Sequence, residues 1–512
     1  MENKLEQILN EKQLIDKDLL SIQNVRTLIA QAKKAQVALA RMSQEQIDKI
    51  VSAMAQAAYH QAEKLAKLAN EETGFGRWQD KVIKNVFAAH TVYEAIKNQK
   101  TVGILRDNPE TKIMDIGVPV GVIAALVPST NPTSTVIYKA LIALKGGNTI
   151  IFSPHPNAKH CIQKTVEIMQ AAAVQAGCPA GAISVMEFPT LHGTNELMRH
   201  HDVKLILATG GSAMVKAAYS SGTPAIGVGA GNGPAYIDKT ADVKKAVKRI
   251  IDSKTFDYGT ICASEQSIII EKAMEATVVA ELQRQGCYLL NEIEAKKLEK
   301  IILNPNGGMN PKIVGQPMKK LKELAGLDSV PDCAKLLIAR EHRVGPKVAF
   351  SREKLGLILA LYVEDNIEAV LQKSIQILEH EGSGHTFAIH AEDPEVVKKF
   401  ALAIPASRVL VNTGASVGGI GATTHLFPAL TLGCGAVGGS SSSNNIGPLD
   451  LIDIKRVAYG SRELEDIKAS IPECADAACN SYRFAESLES RQDISLTTLE
   501  QMVKQIMQEL TK

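Results

Sequence analysis

A chain of 512 residues is long enough for two or three domains, each with its own core. Hydrophobic residues at 45%, charged residues at 22% and a formal net charge of +2 are ordinary for a soluble globular protein, with no sequence-wide pull toward nucleic acid or an anionic membrane. Aromatic residues at 4% argue against base-stacking platforms, and no apolar run reaches the ~18 residues of a membrane-spanning helix.

The first residues, MENKLEQILNEKQL, are amphipathic and acidic rather than basic then apolar, so they form no secretory signal. Residues 1–24 read as an N-terminal amphipathic extension. From about 25 to 100 the pattern is polar and helical, with Ile50, Met54, Ala57, Leu65 and Leu68 at helical spacing. The texture then changes. GVPVGVIAALVPS (117–129), NTIIFSP (148–154), ISVMEFP (183–189) and KLILATGG (204–211) are apolar runs of strand length, with helical stretches 132–147 and 158–177 between them. Continuous apolar strands alternating with helices predict a doubly wound parallel α/β sheet, here a cofactor-binding domain over 25–255.

A second alternation, with strands expected in 264–272, 348–365, 385–391 and 407–413, places an α/β catalytic domain over 256–430. Residues 431–460 follow, Gly/Ser-rich and then strand-like, as a loop lining a site and a return strand. Residues 461–493 turn polar and irregular, as in a flexible tether. In 494–512, Leu496, Leu499, Val503, Ile506 and Leu510 share one helical face, opposite Glu500, Lys504, Gln508 and Lys512. That helix either docks on the body or detaches to bind a partner, and LEQIL (5–9) repeats its LEQMV (499–503).

The eight cysteines form no CxxC pair, which gives neither a zinc ribbon nor a disulfide framework, and no metal is expected. Cys161, Cys178 and Cys287 sit in helical or apolar surroundings and read as inert core thiols. Cys262 differs: YGTICASEQS (258–267) surrounds it with small residues just past a glycine, where a substrate can approach the backbone. Upstream, KLILATGG runs into a helix with Ser212 placed as its cap, a phosphate-attracting junction that is not GxGxxG. LVPSTNPTST (126–135) places Asn131 before a helix-opening Pro132, to cap it or to point an amide into a cleft. IGVGAGNGPAYID (226–238) has glycines where backbone passes something closely.

In order, a strand ending P-x-x-N-P, a strand ending TGGS, a GxGxGNxP loop and a lone cysteine about thirty residues on resemble the aldehyde dehydrogenase superfamily. YGTICASEQS, REKLG (352–356), GHT (384–386) and PALTLGCGAVGG (428–439) look like its CoA-acylating branch. The resemblance spans residues 25 to 460 and implies a Rossmann-type cofactor domain, an α/β catalytic domain and an oligomerisation strand around 451–459. It implies Cys262 as nucleophile, with the Asn131 amide and the Cys262 N–H facing the oxyanion. The hydrolytic enzymes keep a water-activating Glu where this chain has Val228, so the thioester is expected to pass to coenzyme A. Glu265 is expected to be structural.

For NAD, with NADP open, the resemblance places Thr209, Gly210, Gly211 and Ser212 near the pyrophosphate. Ser153 and His155 fall by the adenine ribose, and Glu353 at the nicotinamide ribose. His385 either shuttles a proton from the incoming thiol or bonds its own loop. Acylating enzymes of bacterial microcompartments carry amphipathic helices on tethers, which 494–512 and, as a second, 1–14 resemble. The expected setting is therefore the bacterial cytoplasm inside such a compartment, with a dimer or tetramer as the assembly. The expected reaction is oxidation of acetaldehyde or propionaldehyde to acyl-CoA. Succinate semialdehyde or sulfoacetaldehyde would require a cationic clamp, which the sequence does not reveal. A hydrolytic enzyme and a non-catalytic cargo scaffold are the competing readings; the length leaves no room for an iron-dependent alcohol dehydrogenase domain.

Overall fold

The computed structural model describes residues 16–469 and 496–509; the expected helix over 1–14, Cys474 and Cys479 lie outside the described residues. Two compact units make up the chain, one from Met1–Leu105 with Ile116–Lys455 and the other from Arg106–Asp115 with Arg456–Lys512. Among the described residues no helix is long and apolar enough to cross a membrane.

Helices Lys17–Leu39, Gln44–His60, Ala62–Thr73 and Trp78–Val86 lead into strands β1 (Gly103–Asn108) and β2 (Ile113–Pro119). Five parallel strands follow: β3 (Val122–Val127), β4 (Thr149–Pro154), β5 (Ile183–Val185), β6 (Val203–Thr209) and β7 (Ala225–Val228), in the order β5-β4-β3-β6-β7. β3 and β4 are buried along their whole length, as expected of strands covered by helices on both faces. Strand order reverses between β3 and β6, which opens a crevice at their carboxyl ends. The helix Pro132–Lys145 leaves that crevice and is buried at every position. Its Lys139 donates to the carbonyls of Leu126 and Leu207, both at 2.8 Å, tying the two switch-point strands together. Burial with no carboxylate partner lowers Lys139 to about 7.

The second sheet has seven parallel strands: β8 (Pro234–Ile237), β9 (Ser267–Glu271), β10 (Cys287–Leu289), β11 (Leu336–Arg340), β12 (Ile358–Glu364), β13 (Gly384–His390) and β14 (Ala406–Val411). Their order is β10-β11-β12-β9-β8-β13-β14, over a second apolar core. Several expectations shift here. The run 117–129 breaks into β2 and β3 at Gly121, whose φ is +123°. Residues 183–189 pair only over Ile183–Val185, and in 348–365 only Ile358–Glu364 pairs, Ala349–Ser351 forming a 3-10 turn. β8 comes from the stretch read as a loop and lies in the second sheet, on the N-terminal side of the expected boundary at 255. Ser212 is the first helical residue rather than the cap, a position Gly211 takes without a side-chain bond.

β15 (Ile452–Ala458) joins β1 and β2 in a three-stranded sheet, in the order β1-β2-β15, and most of its residues are exposed. In the second unit Arg456 pairs with Asp115 at 3.3 Å. A short helix, Leu464–Ala469, lies in the stretch expected as a tether. The helix Leu496–Glu509 leaves Leu499, Met502, Val503, Ile506 and Met507 each more than half exposed.

Candidate active site

All strands of both sheets being parallel, strand direction decides what meets. β3, β6 and β7 deliver Asn131, Thr209 and Val228 at or just past their carboxyl ends. The segment 229–233 then crosses to β8, whose amino end lies in register beside β9 and β13. Cys262 precedes β9 and His385 is the second residue of β13. The carboxyl ends of one sheet therefore face the amino ends of the other, with 229–233 between them.

Gly231 is the contact at that junction. A Cβ built on it would lie 1.9 Å from the Cys262 carbonyl oxygen and 3.4 Å from Cδ2 of His385. Only a residue without a side chain fits there. Gly231→Ala is expected to displace the Cys262 backbone and lower kcat by about 10²-fold, the cost of a misplacement of about 1 Å. Circular dichroism identical to the parent, with unchanged kcat, would refute this contact.

Cys262 is half-buried and is reached through a strained turn. Asp257, Tyr258 and Gly259 take φ of 48°, 51° and 74° in succession. Two consecutive non-glycine residues in the left-handed region persist only where surroundings hold them. Here the holder is the Asp257 carboxylate, wholly buried, which accepts from Arg77 N at 2.7 Å, Lys81 Nζ at 2.9 Å, Lys84 Nζ at 2.5 Å and Thr260 Oγ1 at 2.8 Å. Asp80 in turn accepts from Asp257 N at 2.9 Å. The helix Trp78–Val86 buries Asp80, Lys81, Lys84 and Asn85, a polar face turned inward. Burial lowers Lys84 to about 8, against the pull of Asp257. The burial of Asp257 works to raise its pKa, but Lys84 and Lys81 outweigh it and hold the carboxyl below its usual range. Both members of the pair are thus charged at pH 7.

The same Lys84 ammonium donates to Asn131 Oδ1 at 2.5 Å, while Asn131 Nδ2 donates to Thr260 O and Thr130 Oγ1 at 3.2 Å. Asn131 occupies the N-cap position of the helix Pro132–Lys145 but makes no capping bond. Its amide is oriented by the lysine and by the turn that carries Cys262.

Burial pushes the Cys262 thiol up to about 12; the charge of Glu353 and the neighbouring Cys434 add to this, and Arg408 opposes them. Glu353 is itself raised to about 8, by burial first and then by Glu381, although Gly231 N donates to its Oε1 at 2.9 Å. It is neutral at pH 7. His385 is fully buried, with Nδ1 2.9 Å from Thr386 Oγ1 and no partner at Nε2. Burial, then Arg408, lowers it to about 3, so it is a neutral imidazole. Glu265 is buried, accepts from Ser253 Oγ at 2.5 Å and Ala415 N at 2.7 Å, and is raised by burial to about 7. Those bonds fasten it to the scaffold. Val228 is 2% exposed and leaves no carboxylate at its position.

A cavity of about 610 Å³ opens beside this junction, lined by Ser212, Tyr219, Gly229, Ala230, Glu381 and Cys434 among others. Of the expected cofactor residues Ser212 lines it, and the buried Oγ1 of Thr209, just before it in the chain, has no partner. Gly210 is half-buried and Gly211 exposed between them. Ser153 Oγ is instead engaged with Thr194 Oγ1 at 2.8 Å, and the exposed His155 uses Nδ1 to accept from Asn157 N. A concavity of about 740 Å³ between the helices Lys17–Leu39 and Lys159–Gln175 touches none of these residues.

Sequence reasoning missed Lys84, Asp257, Arg408 and Cys434. Arg408, on β14, is 3% exposed and lines a third cavity of about 600 Å³ with Asn445 and Gln99. Its guanidinium donates to Gly433 O at 2.6 Å and Ser443 O at 3.2 Å, leaving Nε without a partner. A buried cation is therefore present where none was identified. The run SRVLVNT carried no signal for it, because a strand with one inward arginine has the same alternation as one with an exposed arginine.

The family model described as the aldehyde dehydrogenase family matches residues 7–288. The chain is 46% identical over 443 residues to the bifunctional aldehyde-alcohol dehydrogenase AdhE of Escherichia coli strain K12, covering 86% of this chain and 50% of that protein. It thus spans about half the length of that relative. An acetylating aldehyde dehydrogenase from Geobacillus thermoglucosidasius superposes with a TM-score of 0.86 at 52% identity, over 88% of this chain and 99% of that one. A Rhodopseudomonas palustris propionaldehyde dehydrogenase with bound CoA and an acylated cysteine gives 0.77 at 27% identity, over 85% of this chain and 97% of that one.

Proposed function

This chain belongs to the aldehyde dehydrogenase family, and on that premise we propose that it oxidises acetaldehyde or propionaldehyde to the acyl-CoA with reduction of NAD⁺. The observation that carries this is the half-buried Cys262 at a junction of backbone amides, with Val228 where a water-activating carboxylate would stand. Cys262 as thiolate adds to the aldehyde carbon. The developing oxyanion would be met by the Cys262 N–H and by Asn131 Nδ2, aimed by Lys84, once it releases Thr130 Oγ1. Bound NAD would supply the hydride acceptor, leaving a thioester on Cys262. The cavity residue Ser212, with Gly210, Gly211 and the unpartnered Thr209 hydroxyl just before it in the chain, fits a pyrophosphate at a helix N-terminus. Glu353 would reach the ribose by releasing Gly231 N. Ser153 and His155 carry less of the adenine ribose than expected, since both are engaged locally; NAD over NADP rests on the family resemblance.

The coenzyme A thiol then attacks the thioester, and neutral His385, with Nε2 unpartnered, would accept a hydrogen bond from the incoming thiol rather than hold its proton. Hydrolysis is the competing outcome, favoured by one observation: Glu353 accepts from the amide of Gly231, the residue that abuts the Cys262 carbonyl, which brings a carboxyl to this junction. NADH formation from each aldehyde, with and without coenzyme A, separates the two. Strict dependence on coenzyme A is expected. Equal rates without it, yielding free acid, would overturn the acylating assignment and make Glu353 the base.

The exposed strand β15 supports pairing with a second copy, as a dimer or tetramer. The exposed apolar face of Leu496–Glu509 supports docking on a microcompartment shell protein, within the bacterial cytoplasm. Deleting residues 494–512 is expected to leave turnover intact and to abolish co-sedimentation with shells. Retained co-sedimentation would dismiss the helix as the address.

A further inference from the structure

The run of four serines at 440–443, just after TLGCGAVGG, has no task in the chemistry above. It belongs to a hairpin: Leu432 bridges Asn445 antiparallel, and Gly433 N and Gly435 N donate to Asn444 O and Ser442 O at 2.9 and 2.8 Å. Arg408 on β14 holds both legs, donating to Gly433 O and Ser443 O. The hairpin also sits tightly against the start of β13. A Cβ on Gly438 would lie 2.3 Å from Ser383 O, and one on Gly384 1.7 Å from Cys434 O. The second sheet thus fixes its base. Its tip carries Val437, Gly438 and Gly439, which line the cavity of about 610 Å³.

The first sheet holds the tip. β7 is an edge strand, paired among the described strands with β6 alone, so its outward backbone groups need partners from outside the ladder. Side-chain hydroxyls supply them. Gly227 N donates to Tyr219 Oη at 2.9 Å, Tyr219 Oη donates to Ser440 Oγ at 3.2 Å, and Ser440 Oγ donates to Gly227 O at 2.9 Å. These bonds close a ring in which each hydroxyl uses its single proton once. Ser441 adds two more, its N–H to Tyr219 Oη at 3.1 Å and its Oγ to Ala225 O at 2.7 Å. Ser440 is 7% exposed, so the ring is shielded from water. Gly227 leaves room for the phenol, since a Cβ there would lie 2.8 Å from the Tyr219 ring.

Tyr219 ends the helix Ser212–Tyr219, and Ser212 opens it. One short helix therefore meets the cavity at its start and the hairpin tip at its end. On the reading that this cavity takes NAD, we propose that Tyr219 is a positioning residue: closed in a ring with Ser440 and Gly227, it sets the distance between the helix start and the hairpin wall, and so the fit of the cavity to the dinucleotide. The tip carries none of the groups assigned to the chemistry, so its effect falls on binding rather than on the bonds changed at Cys262. A wall already latched in place need not be ordered when the nucleotide arrives, and that entropy is not lost on binding. Removing either hydroxyl leaves a backbone group of Gly227 without its partner and frees the tip from the sheet edge.

The test is a fluorescence titration of the full chain with NADH, beside steady-state rates with NAD⁺ varied. Tyr219→Phe and Ser440→Ala should each raise the NADH Kd and the KM for NAD⁺ by about fivefold, the weight of about one hydrogen bond, with kcat within about twofold of the parent. Because either change opens the same ring, the double variant should bind NADH about as well as the weaker single variant. Parental Kd values with a lowered unfolding temperature would assign the hydroxyls to the fold alone and overturn the proposal. A fall in kcat as large as the rise in KM, or two effects that multiply, would overturn it as well. A parent that binds no NADH would remove the NAD reading of the cavity and the proposal with it, whereas variants that match a binding parent would remove the latch alone. NADH binding is read without coenzyme A, so the identity of the acyl acceptor does not enter.

Discussion

Cys262→Ala is expected to remove acyl-CoA formation, by about 10⁴-fold or more in kcat/KM, with the fold unchanged. The same sulfur should declare itself in the free protein. With its thiol pushed up to about 12, alkylation of Cys262 by iodoacetamide should rise about tenfold per pH unit between pH 7 and 9. Glu353, raised to about 8, is neutral below that pH and adds an opposing charge above it. Glu353→Gln should therefore leave the alkylation rate unchanged at pH 7 and raise it at pH 9. A rate flat in pH, or a slower variant at pH 9, would show that this sulfur is not governed by burial and Glu353. Residual turnover in Cys262→Ala within tenfold of the parent would move the nucleophile elsewhere.

Asp257→Asn should be the costliest single change outside the nucleophile. One carboxylate here receives four donors, two of them buried ammonium groups. Leaving those cations without an anion costs about 3–5 kcal/mol. It also frees the turn that carries Cys262 and the lysine that aims Asn131, so kcat should fall by about 10²-fold. The stability loss has a pH signature. Lys84 is already depressed from 10.5 to about 8, and without Asp257 it is depressed further. The unfolded chain then binds more protons than the folded one below pH 10.5, so the variant regains stability as pH rises toward that value. Urea unfolding at pH 7 and pH 9.5 reads this directly. An unfolding midpoint equal to the parent at both would remove the pair as the support of the site.

Cys262 and the strand-ending motifs at Asn131 and Thr209 were legible because each depends on local chain chemistry, while Val228 carried meaning only through the family resemblance. Small residues beside a cysteine, or glycines after an apolar run, are a property of consecutive residues. Lys84 and Arg408 were not legible. A lysine on a helix and an arginine in a strand read as solvent-facing by default, since burying either is favourable only when distant groups satisfy it. For Lys84 those groups are Asp257 and Asn131, 173 and 47 residues away. The competing roles of Asn131 and Ser212 were also decided at a distance, as the cap expected of each is absent and the Asn131 amide is turned toward Thr260.

The sequence by itself determined the two alternations of strand and helix that become the parallel sheets, and it singled out Cys262 as the candidate nucleophile. Those follow from apolar periodicity and from small residues around one cysteine, whereas the reading of Val228 came from the family resemblance. Only the tertiary structure decided that the carboxyl ends of one sheet face the amino ends of the other, that a buried lysine–aspartate pair carries the turn before Cys262, and that Arg408 is buried. Each joins residues far apart in the chain, and their contact is set by packing and by the need to pair buried charge, neither of which has a local signature.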